Sequence, residues 1–577
     1  MKRTTGVKGT KRMDRVVSAT LAALLAFGTA VGAFGCALRQ TDNYVKEGSP
    51  NAIESGSASG YTSGYTSGYD VSGMYYATES YAVEAGGYQI DDPIIIEIPW
   101  NTEEYNVITE HGFTSVLSKP FSTFSADIDT ASYCNLRRMI RDGYLLDEIP
   151  AGAVRIEEML NYFTYSYAAP GEGLPAETTA ADGSELFGVT ATISTCPWNP
   201  DTKLLVIGLQ AKEAQVKANT GNNLVFLIDV SGSMATSNKL PLLQQSFAYL
   251  LDNLGENDTV SIVTYASGEQ VVLQGAKASE RERILEALNG LDARGATNGQ
   301  AGLAMAYDVA SRYFVEGGNN RIILASDGDL NVGITSMSDL EEYVAGKRDS
   351  GIYLSVLGFG DGNFKDTKME TIADAGNGAY YYIDCIEEAE RIFGEQLTRT
   401  MYAVANDVKF QLEFNPAYVK GYRQVGYENR ELSDDEFTDD KVDAGEVGSG
   451  AQITVAYELV TVDSAMQLFT AESRYGAGNA GVENGEWLAL SVRYKEPGAT
   501  SADAAQASSY VIGESACTET PGEDWMFAAQ VIEFGMILRG SENVGTATLD
   551  GLQREVLSAG YTDERRVEFA KLVNRVM

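Results

Sequence analysis

One histidine, His111, serves the whole 577-residue chain, and cysteine occurs only five times. A lone imidazole removes most Ser-His-Asp and Cys-His chemistry and most zinc enzymes. The cysteines, Cys36, Cys134, Cys196, Cys385 and Cys517, lie far apart and form no CxxC. Dithiol redox and zinc motifs are therefore absent. Disulfides among the last four are possible, but a disulfide-built scaffold is not. Positive charge is short as well: 43 Lys and Arg stand against 81 Asp and Glu, a net charge of -38. Such an acidic surface repels phosphate backbones and disfavours nucleic-acid binding. It suits an exported protein, or one that attracts cations. Beyond residue 35 no apolar run reaches the roughly 18 residues that a membrane-spanning helix needs. What remains is ordinary for a folded chain, with 44% hydrophobic and 21% charged residues. The length suits about two to four domains.

The N-terminus reads as an export signal. Lys2, Arg3, Lys8, Lys11, Arg12 and Arg15 precede the apolar, small-residue stretch VVSATLAALLAFGTAVGAFG (16–35), and Cys36 follows. The segment AFGC (33–36) resembles a bacterial lipobox, which implies a signal peptide over 1–36 and lipidation of Cys36. An uncleaved membrane anchor is the alternative, because about 20 apolar residues can span a bilayer. Both place the rest of the chain outside the cytoplasm. Residues 37–104 read as a tether, since the repeated Tyr-Thr-Ser-Gly units of SGSASGYTSGYTSGYDVSGMYY (55–76) cannot pack a core.

The organisation beyond residue 105 follows the periodicity. PFSTFSADIDTASYCNLRRMIRDGYLLDEIPAGAVRIEEMLNYFTY (120–165) predicts a strand and two helices, with Val154, Met159, Leu160 and Phe163 on one apolar face. In DIDT (127–130), Asp129 or Thr130 is expected to cap a helix. LFGVTATISTCPWNPDTKLLVIGLQAKE (186–213) alternates like a sandwich hairpin. From 222 to 400 apolar strands (223–228, 259–265, 321–326, 352–358, 379–383) alternate with helical runs (239–254, 279–292, 299–315, 337–349, 366–375, 386–400). That alternation predicts an α/β fold with a doubly wound, mostly parallel sheet. After 400 the β alternation of VKFQLEFN, VKGYRQVGY, AQITVAYELV and WLALSVRYK suggests the second half of the sandwich. The stretch 496–509 reads as a loop and 523–577 as helical. The acidic stretch SDDEFTDDKVDAGEVGSG (433–450) departs from the EF-hand spacing and is expected to be a solvated hairpin loop, despite Asp439, Asp440, Asp443 and Glu446. The expected division is 105–221, an N-terminal α+β region; 222–400, the α/β domain; and 401–577, a β-rich then helical region.

The chemistry concentrates at the strand ends of the α/β domain. In NLVFLIDVSGSMATSNKL (223–240) the apolar run stops at Asp229, and Ser231 and Ser233 follow at alternate positions. One carboxylate and two hydroxyls are hard oxygen ligands, suited to Mg²⁺, Mn²⁺ or Ca²⁺. RGATNGQAG (294–302) offers Thr297 just before a helix, and IILASDGDLNVG (322–333) offers Asp327 at a strand end. In doubly wound sheets such loops converge at the carboxyl edge. The five residues resemble the metal-ion-dependent adhesion site of the von Willebrand factor A domain, in which DxSxS, a Thr and an Asp hold one divalent cation. PFSTFSADIDTASY, VRIEEMLNYF, CPWNPDTKLL, LGFGDGNFKDTKMETIADAGNG and FNPAYVKGYRQVGYENR extend the likeness over 105–577. The chain is similar to the bacterial YfbK-like lipoproteins, which carry an A domain between two family-specific regions.

The resemblance implies one divalent cation, with Mg²⁺ foremost, at Asp229, Ser231, Ser233, Thr297 and Asp327. It implies a protein partner whose Asp or Glu side chain completes the coordination, and by analogy a shift of the helix at 386–400 on binding. No catalytic residue is expected. A metal-assisted hydrolase is the enzymatic alternative, with Asp329 or Asp361 as candidate bases, but no His, Cys or Lys is expected in the three loops. A cell-envelope scaffold with a structural metal is the other alternative.

Overall fold

The computed structural model describes residues 102–577, apart from 179–184, 215–220, 296–301, 329–335, 363, 397–400, 443, 469–480, 498 and 500–502. The stretch that reads as an export signal, Cys36 and nearly all of 37–104, which reads as a tether, lie outside the described residues. The described residues belong to one compact unit, Ile98–Met577.

Strand Asn222–Asp229 is buried along its whole length, as a parallel strand covered on both faces must be. It pairs in parallel with Thr259–Tyr265 on one side and with Asn319–Ser326 on the other. Tyr353–Phe359 and Tyr380–Ile383 extend the sheet in parallel, and Glu269–Lys277 closes the far edge antiparallel to Thr259–Tyr265. One face is packed by helix Leu240–Leu251 through Leu243, Phe247 and Leu250, all 0% exposed. The other is packed by helices Gly302–Arg312, Met337–Arg348 and Asp366–Ala375. The sheet is thus α/β and mostly parallel, as expected. Its edge strand Glu269–Lys277 is additional: it is half-exposed, and its apolar run, Val271–Leu273, is only three residues long.

The α/β domain interrupts a second body. Strands Phe187–Thr195 and Lys203–Ala211 precede it, and Gln452–Thr461 follows it, yet the three are neighbours in one antiparallel sheet. A facing sheet is built on Ala403–Phe414, Glu486–Lys495 and Gln506–Gly513, with Phe121–Ser125 added beside Ala403–Phe414. Leu205, Ile207, Phe410, Leu412, Ile453 and Leu490 fill the space between, so this is a sandwich core. Helices Ala131–Asp142, Ile156–Asn161, Glu523–Arg539, Leu549–Ala559 and Glu564–Val573 form a layer that includes the apolar face Val154, Met159, Leu160 and Phe163. No helix among the described residues is long and apolar enough to cross a membrane.

Several local expectations need correction. Strand Gln506–Gly513 begins inside the stretch 496–509 that reads as a loop. The acidic stretch 433–450 holds helix Asp434–Thr438, closed by a Ser433/Glu436 capping box, and strand Gly445–Gly448. Within it Asp440 accepts hydrogen bonds from Arg493 and Glu446 accepts one from Asn377, while Asp443 lies outside the described residues. Thr130 stands at the start of helix Ala131–Asp142 without a side-chain cap bond. Its hydroxyl instead accepts from Arg391 at 2.9 Å, and Asp129 accepts the Tyr380 amide at 2.9 Å. The last helix of the domain is short, Ile386–Glu390, and runs into a wide π-type turn over Arg391–Gln396. Cys134, Cys196, Cys385 and Cys517 are free.

Buried guanidinium groups hold the bodies together. Arg137 bridges Glu388 at 2.9 Å and Glu568 at 3.1 Å, and its Nε donates to Asp384 at 2.8 Å. Arg155 meets Glu158 and Asp366 directly, and Glu370 at 3.9 Å. Arg430 reaches Asp129 at 3.3 Å, Glu370 at 3.7 Å and Asp374 at 2.6 Å. Removing one partner of such a pair leaves the others charged in a dry site. Arg155→Met should therefore destabilise the protein by about 3–5 kcal/mol, read by equilibrium urea unfolding at neutral pH. A change below about 1 kcal/mol would show that these carboxylates find other partners.

Candidate metal centre

Chain order reverses about strand Asn222–Asp229: the next strand, Thr259–Tyr265, lies on one side, and Asn319–Ser326 pairs on the other. In parallel sheets a crevice opens at such a point, outside the carboxyl ends of the strands. Ile228 stands beside Ala325, so Asp229 and Asp327 leave the sheet at the same edge. Both are fully buried, and Ser231 is 1% exposed. Ser233, by contrast, is exposed to solvent.

The loop after Asp229 is folded onto its own carboxylate. The Ser231 amide donates to Asp229 Oδ1 at 2.8 Å, and Ser326 Oγ donates to Oδ2 at 3.4 Å. The hydroxyls of Ser231 and Ser233 lie 3.0 Å apart. The Gly232 amide donates to the Gly295 carbonyl at 3.0 Å, and the Arg294 amide to the Val230 carbonyl at 2.8 Å. These bonds dock segment 294–295 on the DxSxS loop. Thr297, two residues further on, lies outside the described residues. Gly328 follows Asp327 with φ of 107°, and a Cβ there would sit 2.5 Å from the Lys365 amide nitrogen. Only glycine fits this turn without displacing backbone.

Burial pushes Asp229 up to about 6, and the charge of Asp327 adds to it; the Ser231 and Ser326 hydrogen bonds pull the other way. Two adjacent buried carboxylates need positive charge, and one source was not expected. Lys239, 5% exposed, places Nζ 2.9 Å from Asp327 Oδ2. Its position, six residues past Ser233 and opening helix Leu240–Leu251, carries no motif signal. Asp327 Oδ1 remains buried without a partner among the described residues. A buried unpartnered carboxylate oxygen is costly, and this one lies among hard oxygen donors. The residues present therefore fit a divalent cation of the Mg²⁺, Mn²⁺ or Ca²⁺ kind.

Of the candidate bases, Asp361 is exposed and accepts from Asn238 Nδ2 at 3.2 Å, while Asp329 lies outside the described residues. The ligand atoms of Cys134, Asp384 and Glu388 also lie within 4.8 Å of one another. There the carboxylates already hold Arg137, and Glu388 also holds Arg391.

Three family models match the chain: "von Willebrand factor" over residues 99–206, "von Willebrand factor type A domain" over 223–395, and "Uncharacterized protein YfbK, C-terminal" over 399–577. The YfbK protein of Escherichia coli (strain K12) is 37% identical over 478 residues, covering 82% of this chain and 80% of that one. The human voltage-dependent calcium channel subunit alpha-2/delta-2 is 26% identical over 208 residues, covering 34% of this chain and 18% of that protein. Among solved structures, a von Willebrand factor type A protein from Catenulispora acidiphila aligns with a TM-score of 0.35 and 19% identity, covering 64% of this chain and 81% of its own.

Lys239→Met should leave Asp327 as an unpaired buried charge. In the presence of chelator the variant should lose about 3–5 kcal/mol in urea unfolding. Added Mg²⁺ should then stabilise it more than it stabilises the wild type. Unchanged stability in chelator would show that Lys239 is not the counter-ion of Asp327.

Proposed function

The chain belongs to the YfbK family of proteins with a von Willebrand factor type A domain, and from that premise we propose that it is a cell-surface lipoprotein that captures a protein partner through a divalent-cation site. A-type domains often mediate protein–protein interaction, and many carry a metal site. The observation that carries the reading here is the buried, unpartnered Oδ1 of Asp327, next to Asp229 and the Ser231–Ser233 hydroxyl pair.

Asp229, Ser231, Ser233, Thr297 and Asp327 would hold the cation. When bound, it supplies a positive centre to which a partner's Asp or Glu side chain can attach. The chain's own residues prepare that encounter. Asp229 is kept in place by the Ser231 amide and the Ser326 hydroxyl. Ser233 gives the site its exposed side, where a partner can approach. Lys239 balances Asp327, so the two buried carboxylates do not repel the loops apart. The export signal and Cys36 support anchoring at the membrane with the domain outside the cytoplasm.

The scaffold alternative, with the metal as a staple, is weakened because Lys239 already ties Asp327 to the start of helix Leu240–Leu251. The hydrolase alternative is weakened because Lys239 is committed to that ion pair and so is a poor base.

Thermal unfolding of the full chain with Mg²⁺, Mn²⁺, Ca²⁺ or chelator tests the site. A cation at about 100 times its Kd should stabilise the fold by roughly 2.7 kcal/mol, and Asp229→Ala should abolish the gain. Asp229→Ala should also lose the partners that the wild type captures from a surface extract. A variant that kept them all would overturn the reading.

A further inference from the structure

The long C-terminal helix Glu523–Arg539 carries a group with no role in the metal site. Met526, Gln530 and Glu533 recur at helical spacing and face a cleft of about 520 Å³. Trp525, Glu555 of helix Leu549–Ala559 and Tyr561 line it as well. Such a volume lies in the range of small-molecule sites.

Glu533 is the unusual member. It is 5% exposed, and it has no hydrogen-bond or ion-pair partner among the described residues. Its oxygens keep some contact with the water of the cleft, but a carboxylate so largely buried and left unpaired is costly. Its neighbours do not relieve it. Gln530 Oε1 already accepts the Tyr561 hydroxyl. Glu555 adds a second negative charge, and Glu523 at the rim is paired with Arg566 at 3.2 Å. Burial, with the charge of Glu555 adding, pushes Glu533 up to about 7 from the ordinary 4.5. A positively charged hydrogen-bond donor would complement both carboxylates. The walls set the rest of its chemistry: the indole of Trp525, the ring of Tyr561 and the thioether of Met526 favour an apolar stem and attract positive charge.

We propose that this cleft binds a small organic cation, a primary ammonium group on an apolar or aromatic stem, with Glu533 accepting its hydrogen bond and Glu555 adding attraction at the mouth. The inference is independent of the metal site and of any protein partner.

The test is calorimetric titration of the full chain with benzylammonium, and with benzyltrimethylammonium as the probe that cannot donate a hydrogen bond. Wild type should bind benzylammonium saturably, and more tightly at about pH 8 than at about pH 5, where Glu533 is protonated. Glu533→Gln should weaken binding at least tenfold, Glu555→Gln by less, and the quaternary probe should bind at least tenfold more weakly than the primary one. Folding of the variant has its own check. The native state holds the Glu533 proton more tightly than the unfolded chain, so the stability this gives is complete below about 4.5 and lost as pH rises through about 7. The Tm of Glu533→Gln should therefore gain on wild type across that window. Absence of saturable benzylammonium binding would overturn the proposal. So would equal binding by folded Glu533→Gln, or equal binding of the quaternary probe.

Discussion

Three arginines that carry full positive charge out of water tie the α/β domain to the rest of the molecule. The side chains of Arg137 and Arg155 are 3% and 2% exposed, and that of Arg430 is 11% exposed. Burial works against each charge, and the surrounding carboxylates overcome it. None of the three confines its pairs to a single body. Arg137 joins the N-terminal helix to the end of the α/β sheet and to the last helix of the chain. Arg155 and Arg430 both reach helix Asp366–Ala375, one from the helical layer and one from the sandwich. A charge so placed cannot be abandoned by its partners without a desolvation cost of several kcal/mol. The α/β domain is therefore locked to its surroundings and not hung between linkers.

That locking bears on how the domain can respond to a partner. Family analogy suggests movement of the last helix. Burial works to raise Glu388 of that helix, yet Arg391 and Arg137 hold it down to about 2. Moving the helix would pull on Arg137, and through it on Glu568 of the C-terminal helix Glu564–Val573. Any shift at 386–396 in this protein is coupled to the helical layer or does not occur.

The sequence disclosed the parts whose signal is local. Buried parallel strands read as apolar runs, so Asn222–Asp229 and Asn319–Ser326 were legible to within two residues. The DxSxS and SDG turns were legible because oxygen ligands and a positive-φ glycine have fixed spacings. What stayed hidden depends on distant chain. Strand Glu269–Lys277 is a half-exposed edge whose apolar run, Val271–Leu273, is too short to announce a strand. Lys239 looks like a solvated residue before a helix until Asp327, 88 positions away, is brought against it. Asp129 and Thr130 looked like helix caps, since they stand where caps stand. Tertiary partners, Tyr380, Arg430 and Arg391, claimed their oxygens instead.

The same contrast explains why an acidic protein keeps so much of its scarce positive charge inside. With 43 Lys and Arg against 81 Asp and Glu, each buried arginine leaves the surface more negative. The interior arginines serve geometry, because a planar fork with five donors fixes several carboxylates at once. The exterior is left to attract cations. The strand-end site of hard oxygens and the cleft with its unpaired carboxylate and aromatic walls both draw on that field. They differ in what they reward. The strand-end site offers small oxygen donors that suit a compact divalent ion. The cleft at Glu533 offers an unpaired carboxylate beside aromatic and thioether walls, which a metal ion would leave unused. A rigid frame benefits both, since loops and side chains already held in place lose little entropy when a ligand arrives.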